Sequence, residues 1–258
     1  MKYSDSQIEY LLAEIYGGVY GAYNLPEDLY FAIADYLKKA LYEGFGSSLS
    51  ALPTLSKDYA LLNEMRTNIY AFSGAKTYQE VVDMSALLTS DGGVSSFRDF
   101  KSKALSVYET YNKNYLETEY NTAIAQAQNA NRWLQVEERA DVLPYLTYNA
   151  VMDANTSEIC RSLDGITLPV NDAFWRKFMP PNHFNCRCVV TQTDDAKVSS
   201  KTQVKEARQV EGKMNDLFIA NPGMTQVVFS DKHPYFTVAE KDKEYAKRNF
   251  DLPIPEKD

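Results

Sequence analysis

From Ser95 to Ala140 the chain reads SSFRDFKSKALSVYETYNKNYLETEYNTAIAQAQNANRWLQVEERA, without one proline or glycine. Those two residues interrupt regular structure more strongly than any others, so a run this long without them has few places to turn. Phe97, Phe100, Ala104, Val107, Tyr108, Tyr111, Tyr115, Tyr120, Ile124, Ala127, Ala130 and Leu134 trace a rough three-or-four spacing, the repeat of a helix face. The spacing predicts one long helix, or two with a break near Asn112–Asn114. Either way the span exceeds the ~8–20 residues of an ordinary globular helix. A rod of that length reaches from one domain to the next.

Upstream, the signals are helical. SDSQIEYLLAEIYGGVY opens on cap-type residues and places Ile8, Leu11, Leu12, Ile15 and Tyr16 on one face before Gly17 and Gly18 weaken it. LPEDLYFAIADYLKKALYEGFG sets Pro26 at a first turn, follows it with Glu27 and Asp28, and stops at a glycine. TLSKDYALLNEMRTNIYAFSG and TYQEVVDMSALLTS read as two further helices, the second ending in the turn signal SDGG. Residues 1–94 are thus expected to form a helical bundle. They hold 12 acidic against 6 basic side chains, and 17 of the 19 tyrosines precede residue 149. Tyrosine suits a position with one dry end and one wet end, so these rings fit either core packing or a surface that docks a basic partner.

Downstream the pattern changes. LPYLTYNAVMD supplies strand formers after Pro144, Asp164 and Gly165 make a turn before an extended Ile166–Val170, NDAFWRKF fits one or two helical turns, and CVVTQ reads as a strand. The expectation is an α+β chain with an acidic, tyrosine-rich helical region at 1–94, a connecting helix or helix pair at 95–143, and a small mixed domain at 144–258.

Composition removes several classes. No apolar run approaches the ~20 residues needed to span a bilayer, and the amino end has no signal-peptide pattern, so the chain is expected to stay in the compartment where it is made. A formal net charge of −8 repels phosphate, so any contact with DNA would be local, through side chains near Arg176, Lys177 and Arg187, which read in the first place as a solvated face.

The densest chemistry lies in PPNHFNCRC, residues 180–188, with Cys160 upstream as the third cysteine. If Cys186 and Cys188 share a strand face they stand ~6.6 Å apart, which strains a disulfide but suits two ligands of one ion. His183 can add a nitrogen and Cys160 a third sulfur, giving a structural zinc site of Cys160, His183, Cys186 and Cys188. The spacing differs from paired zinc knuckles, so buried free thiols, or a disulfide in an oxidising compartment, fit the same residues. A catalytic thiol is disfavoured, because no third group is evident to orient His183, and Asp153, Asp164 and Asp172 sit beside turns where aspartate serves the backbone. No catalytic residue and no enzyme activity are expected.

The stretch YLTYNAVMDANTSEICRSLDGITLPVNDAFWRKFMPPNHFNCRCVV, with NYLETEYNTAIAQAQNANRW before it, resembles the phage Mu protein F-like minor head proteins, the head morphogenesis family of tailed bacteriophages. The resemblance runs over roughly residues 95–192, with a fainter echo in NPGMTQVVFSDKHPYFTV. Cys160, His183, Cys186 and Cys188 match the family's cysteine and histidine positions, and Asp153, Asp164, Gly165 and Pro181 its turn residues. Asn155 departs from the arginine that many relatives carry there. The resemblance implies a minor capsid protein in the virion, inside the head at the portal vertex and in the bacterial cytoplasm during assembly. Its implied partners are the portal or major capsid protein, with weak contact to packaged double-stranded DNA and none to membrane. Its implied role is head assembly and genome packaging or delivery. The alternative is an effector or enzyme packaged in the head and delivered with the DNA.

Overall fold

The computed structural model describes residues 1, 3–90, 93–194 and 197–256. Asp91 and Gly92 of the SDGG turn lie outside the described residues.

Helix α1 (Asp5–Tyr16) begins where Ser4 Oγ accepts from Gln7 N and the Gln7 side chain accepts from Ser4 N, so two backbone donors are satisfied reciprocally. Helix α2 (Glu27–Phe45) carries Glu27 and Asp28 against its amino-terminal dipole and ends at Gly46, whose φ of +79° is costly for any residue with a Cβ. Helix α3 (Lys57–Ser85) leads to a two-residue antiparallel pair, β1 (Thr89–Ser90) with β2 (Gly93–Val94). Then come α4 (Phe97–Glu109), a π-helical turn (Thr110–Tyr115) and α5 (Leu116–Glu138). The remainder alternates short elements: β3 (Tyr145–Asn149), α6 (Glu158–Leu163), β4 (Thr167–Pro169), α7 (Trp175–Phe178), β5 (Val189–Thr193), α8 (Lys201–Ala207), α9 (Pro222–Thr225) and α10 (Lys243–Lys247). Strands β4, β3 and β5 form one antiparallel sheet in that order. The chain is α+β, as the sequence pattern predicts.

Two local expectations are corrected and one open alternative is decided. The two helices expected between Thr54 and Ser90 are one helix, because Gly74 does not stop it. A Cβ there would lie 2.5 Å from Asn249 Oδ1, so this glycine makes room for a side chain and leaves the helix intact. Of the two readings of residues 95–140 the single long helix is the one found: Asn112–Asn114 lies in a widened turn between α4 and α5, which never leaves helical geometry. Cys186 and Cys188 precede β5 and do not lie on it; Asn185, at φ +57°, turns the chain just before them.

The chain divides into two compact units, each assembled from separated stretches: residues 1–39, 67–120 and 231–258 in the first, and 40–66 and 121–230 in the second. These are not the consecutive ranges expected from the sequence. Residues 231–258 belong with the amino-terminal helices because their polar and aromatic groups find partners there. Tyr78 OH donates to Asp242 Oδ2 at 2.7 Å, Tyr23 OH donates to the same carboxylate, Tyr30 OH donates to Pro253 O at 2.8 Å, and Tyr78 stacks on Phe250 at 4.6 Å. In the same unit Tyr16 packs its ring on Phe97 and Phe100, joining α1 to α4. The amino-terminal tyrosines do not share one face: Tyr30 is buried, Tyr10 and Tyr23 are exposed, and Tyr16, Tyr20, Tyr36 and Tyr42 are half-buried.

The second unit holds the sheet. Leu146 and Tyr148 alternate inward along β3 and meet Trp133, Val136, Leu168, Trp175, Phe178 and Val190 in one core. Arg132 donates to Val190 O at 2.9 Å, and Gln192 Nε2 donates to Val136 O and Leu143 O, so the carboxy-terminal half of α5 is bonded to β5. Among the described residues no helix is long and apolar enough to cross a membrane.

Candidate metal centre

Asp153, in the loop after β3, orders one wall of the site. Its carboxylate accepts from Asn155 N at 2.9 Å and takes both guanidinium arms of Arg187, at 2.7 and 2.8 Å, while its carbonyl accepts from Arg161 at 2.6 Å. The Arg187 guanidinium holds the Asp153 carboxyl well below the usual carboxylate range. The loop ends at Ser157, whose hydroxyl accepts from Cys160 N at 3.2 Å and starts α6, so Cys160 sits one turn in and is buried.

The opposite wall is the PPNHFNCRC segment. Pro180–Pro181 is cis, and Asn182 is fully buried behind it, accepting from Tyr148 OH at 2.7 Å. His183, Phe184 and Asn185 then turn, with Cys186 N donating to His183 O at 3.2 Å. Asparagine tolerates the left-handed backbone that Asn185 adopts there.

The two walls bring Cys160, His183 and Cys186 together. Cys160 Sγ lies 3.1 Å from His183 Nε2 and 3.7 Å from Cys186 Sγ, and the three donor atoms are all within 4.8 Å of one another. His183 Nδ1 lies 2.7 Å from Phe184 O, a contact that needs the proton on Nδ1 and turns the Nε2 lone pair toward the sulfurs. Cys188 is not within that mutual group. It lines the same surface pocket as Ser157, Cys160, His183 and Arg187 and is close enough to act on the ionisation of the other two thiols. None of the three cysteines is in a disulfide.

The electrostatics are those of a shared negative charge. Contacts with Cys186 and then Cys188 drive the Cys160 thiol far below its ordinary value. Cys160 in turn raises Cys186 and Cys188, and its sulfur raises the His183 imidazole. Sulfur and imidazole are the preferred ligands of Zn²⁺, and the carbonyl behind His183 is the usual partner of a ligating histidine, so Cys160, His183 and Cys186 fit this ion, with Cys188 a further sulfur lining the same pocket.

The carboxylates singled out in the sequence serve the backbone: Asp153 bonds Asn155 N, Asp164 accepts from Ala150 N at 2.8 Å, and Asp172 accepts from Phe174 N at 2.8 Å. Arg187, read from sequence as a candidate DNA contact, is engaged by Asp153. Sequence reasoning missed Tyr148 and Asn182, which buttress the site from below. The only cue to Asn182 was its place after the two prolines, and the inward register of Tyr148 was legible in the alternation of β3.

Comparison with known proteins places this region. Residues 75–191, which contain every residue of the site, match the Phage Mu protein F like protein family. Protein F of Escherichia phage Mu, whose name assigns it to capsid assembly, is 37% identical over 83 residues, covering 32% of this chain and 19% of that protein. The Mu-like prophage FluMu F protein of Haemophilus influenzae is 34% identical over 86 residues, covering 33% of this chain and 21% of its own. The aligned segment therefore spans about a fifth of each curated relative. No solved structure matches the chain significantly. Over residues 75–191, a little under half of its length, the chain is similar to the phage Mu protein F-like family.

Proposed function

We propose that this chain is a head morphogenesis protein of a tailed phage or prophage, a minor capsid component that joins the portal vertex inside the head and acts in assembly and in packaging or delivery of the genome. The observation that carries this reading is the family match over residues 75–191, which encloses the whole Cys/His cluster. Its partners in this reading are portal and major capsid proteins. The chain is in the host cytoplasm during assembly and in the virion afterwards. Contact with packaged DNA is local at most, given a net charge of −8. The test is co-expression with the portal and major capsid proteins of the same phage. Retention in purified heads at a few copies per vertex supports the proposal, and a chain that never enters assembled heads refutes it.

In the same reading the cluster is structural. Zinc held by Cys160, His183 and Cys186, with Cys188 as fourth donor, fastens the loop after β3 and α6 to the segment before β5, and no substrate is turned over. Metal analysis of protein made without added zinc should return one zinc per chain. Cys186→Ser with Cys188→Ser should lose the metal and lower the melting temperature. Variants that melt like the parent reject the ligand set, and turnover lost in a folded Cys160→Ser variant rejects the structural role.

A further inference from the structure

In the first unit, two contacting side chains are each left with one buried oxygen that accepts nothing. Glu80, on α3, is fully buried. Asn112, in the π-helical turn, donates through Nδ2 to Glu80 Oε1 at 2.7 Å and to Tyr108 O at 3.2 Å. Glu80 Oε2 and Asn112 Oδ1 have no hydrogen-bond partner among the described residues. A buried acceptor without a donor costs about as much as a lost hydrogen bond, so two of them on one contacting pair call for a common explanation. A carboxyl and a carboxamide are planar groups of the same shape. When one N–H···O bond already joins them, one proton on the remaining carboxyl oxygen can close a second bond and satisfy both orphans.

We propose that Glu80 holds a proton at neutral pH, that its Oε2–H donates to Asn112 Oδ1, and that this closed acid–amide pair fastens the Thr110–Tyr115 turn to α3 until alkaline pH removes the proton. The surroundings favour the neutral acid. Lys76, one turn away on α3, is the nearby cation, and its ammonium is engaged by both Glu119 oxygens at 2.9 and 2.8 Å and by Tyr111 O at 2.7 Å. The other groups facing the pair are acids or phenols: Asp83 on α3, Glu119 on α5, Tyr108 on α4, Tyr111 in the turn and Tyr235 from the carboxy-terminal stretch. Burial, with Glu119 and Asp83, pushes the Glu80 carboxyl up to about 8, against the pull of Lys76 and Asn112. The folded value lies above the unfolded one. The pair's stabilisation is therefore complete below the ordinary carboxylate range and is lost as pH rises through the folded value.

The experiment follows the side-chain carboxyl carbons of the intact chain by ¹³C NMR across pH, with the Glu80 signal assigned through Glu80→Gln. The expected result is a Glu80 carboxyl half-titrated near pH 8. The melting temperature of the parent should fall from about pH 6 to about pH 9 more steeply than that of Glu80→Gln, whose amide supplies the donor at every pH. A Glu80 carboxyl that titrates in the ordinary range, as when a water donates to both oxygens in place of the proton, overturns the proposal. So do parallel melting profiles. If Glu80→Gln does not fold, the titration of the parent, assigned by other means, decides alone.

Discussion

Lys76→Met removes the cation at the centre of the first unit and keeps the volume of its stem. The Lys76 side chain is 0% exposed and that of Glu119 6%, and three hydrogen bonds, from 2.7 to 2.9 Å, hold the ammonium to Glu119 and to Tyr111 O. Methionine fills nearly the same space, so the packing contribution changes little. The electrostatic one does not, since deleting one partner of a buried pair strands the other charge at ~3–5 kcal/mol. Glu119 retains a bond from Tyr235 OH at 3.1 Å and can take up a proton, which places the expected loss near the lower end, ~3 kcal/mol at neutral pH. The pH dependence has a definite sign. Burial already raises the Glu119 carboxyl, and Lys76 supplies the two largest opposing influences. Without Lys76 the folded value climbs further above the unfolded one, so the deficit shrinks as pH falls and widens as pH rises. Urea unfolding of parent and variant at about pH 5.5 and about pH 8, followed by circular dichroism, measures both effects. Lys76→Met with Glu119→Gln should recover most of the loss, because no buried charge is then left unpaired. A loss under ~1 kcal/mol, or an equal loss at both pH values, would show that the pair is not the buried, dry ion pair its geometry describes.

Two further changes probe the second unit. Tyr148→Phe removes the donor to Asn182 Oδ1, leaving a fully buried amide oxygen unpaired, and should cost ~1–3 kcal/mol in urea unfolding; a change within ~0.5 kcal/mol means that Asn182 has another donor. Gly44→Ala places a Cβ 2.4 Å from Ile124 O, so the ~1 kcal/mol gain in helix propensity should be outweighed by ~1–3 kcal/mol of overpacking, and an alanine variant as stable as the parent rejects that close approach.

The stretch that matches the family model was legible because its marks are local. The DAFW, PPNH and CRC elements and the turn at Asp164–Gly165 stand in one stretch of sequence, and the comparison over residues 75–191 meets them there. The candidate site was only partly legible. Its donors were named from residue type, but no spacing rule reports that the turn at Asn185 brings Cys186 within 3.7 Å of Cys160 and leaves Cys188 outside the mutual group.

What the chain fixed by itself is what depends on neighbours a few residues away. The Ser4 and Ser157 caps, the glycine stop at Gly46, and the inward alternation of Leu146 and Tyr148 each rest on hydrogen bonds or side-chain periods within one turn or one strand. Tertiary structure decided whatever needed a partner far along the sequence. Gly74 continues a helix because Asn249 needs the space, and Lys76 is buried because Glu119 and Tyr111 meet its charge. Residues 231–258 join the amino-terminal helices because Tyr23, Tyr30 and Tyr78 offer hydroxyl donors there. Local rules specify where an element starts and which face is apolar, whereas the partner of a buried charge or an orphan carbonyl is chosen only when distant segments compete for it in the folded chain.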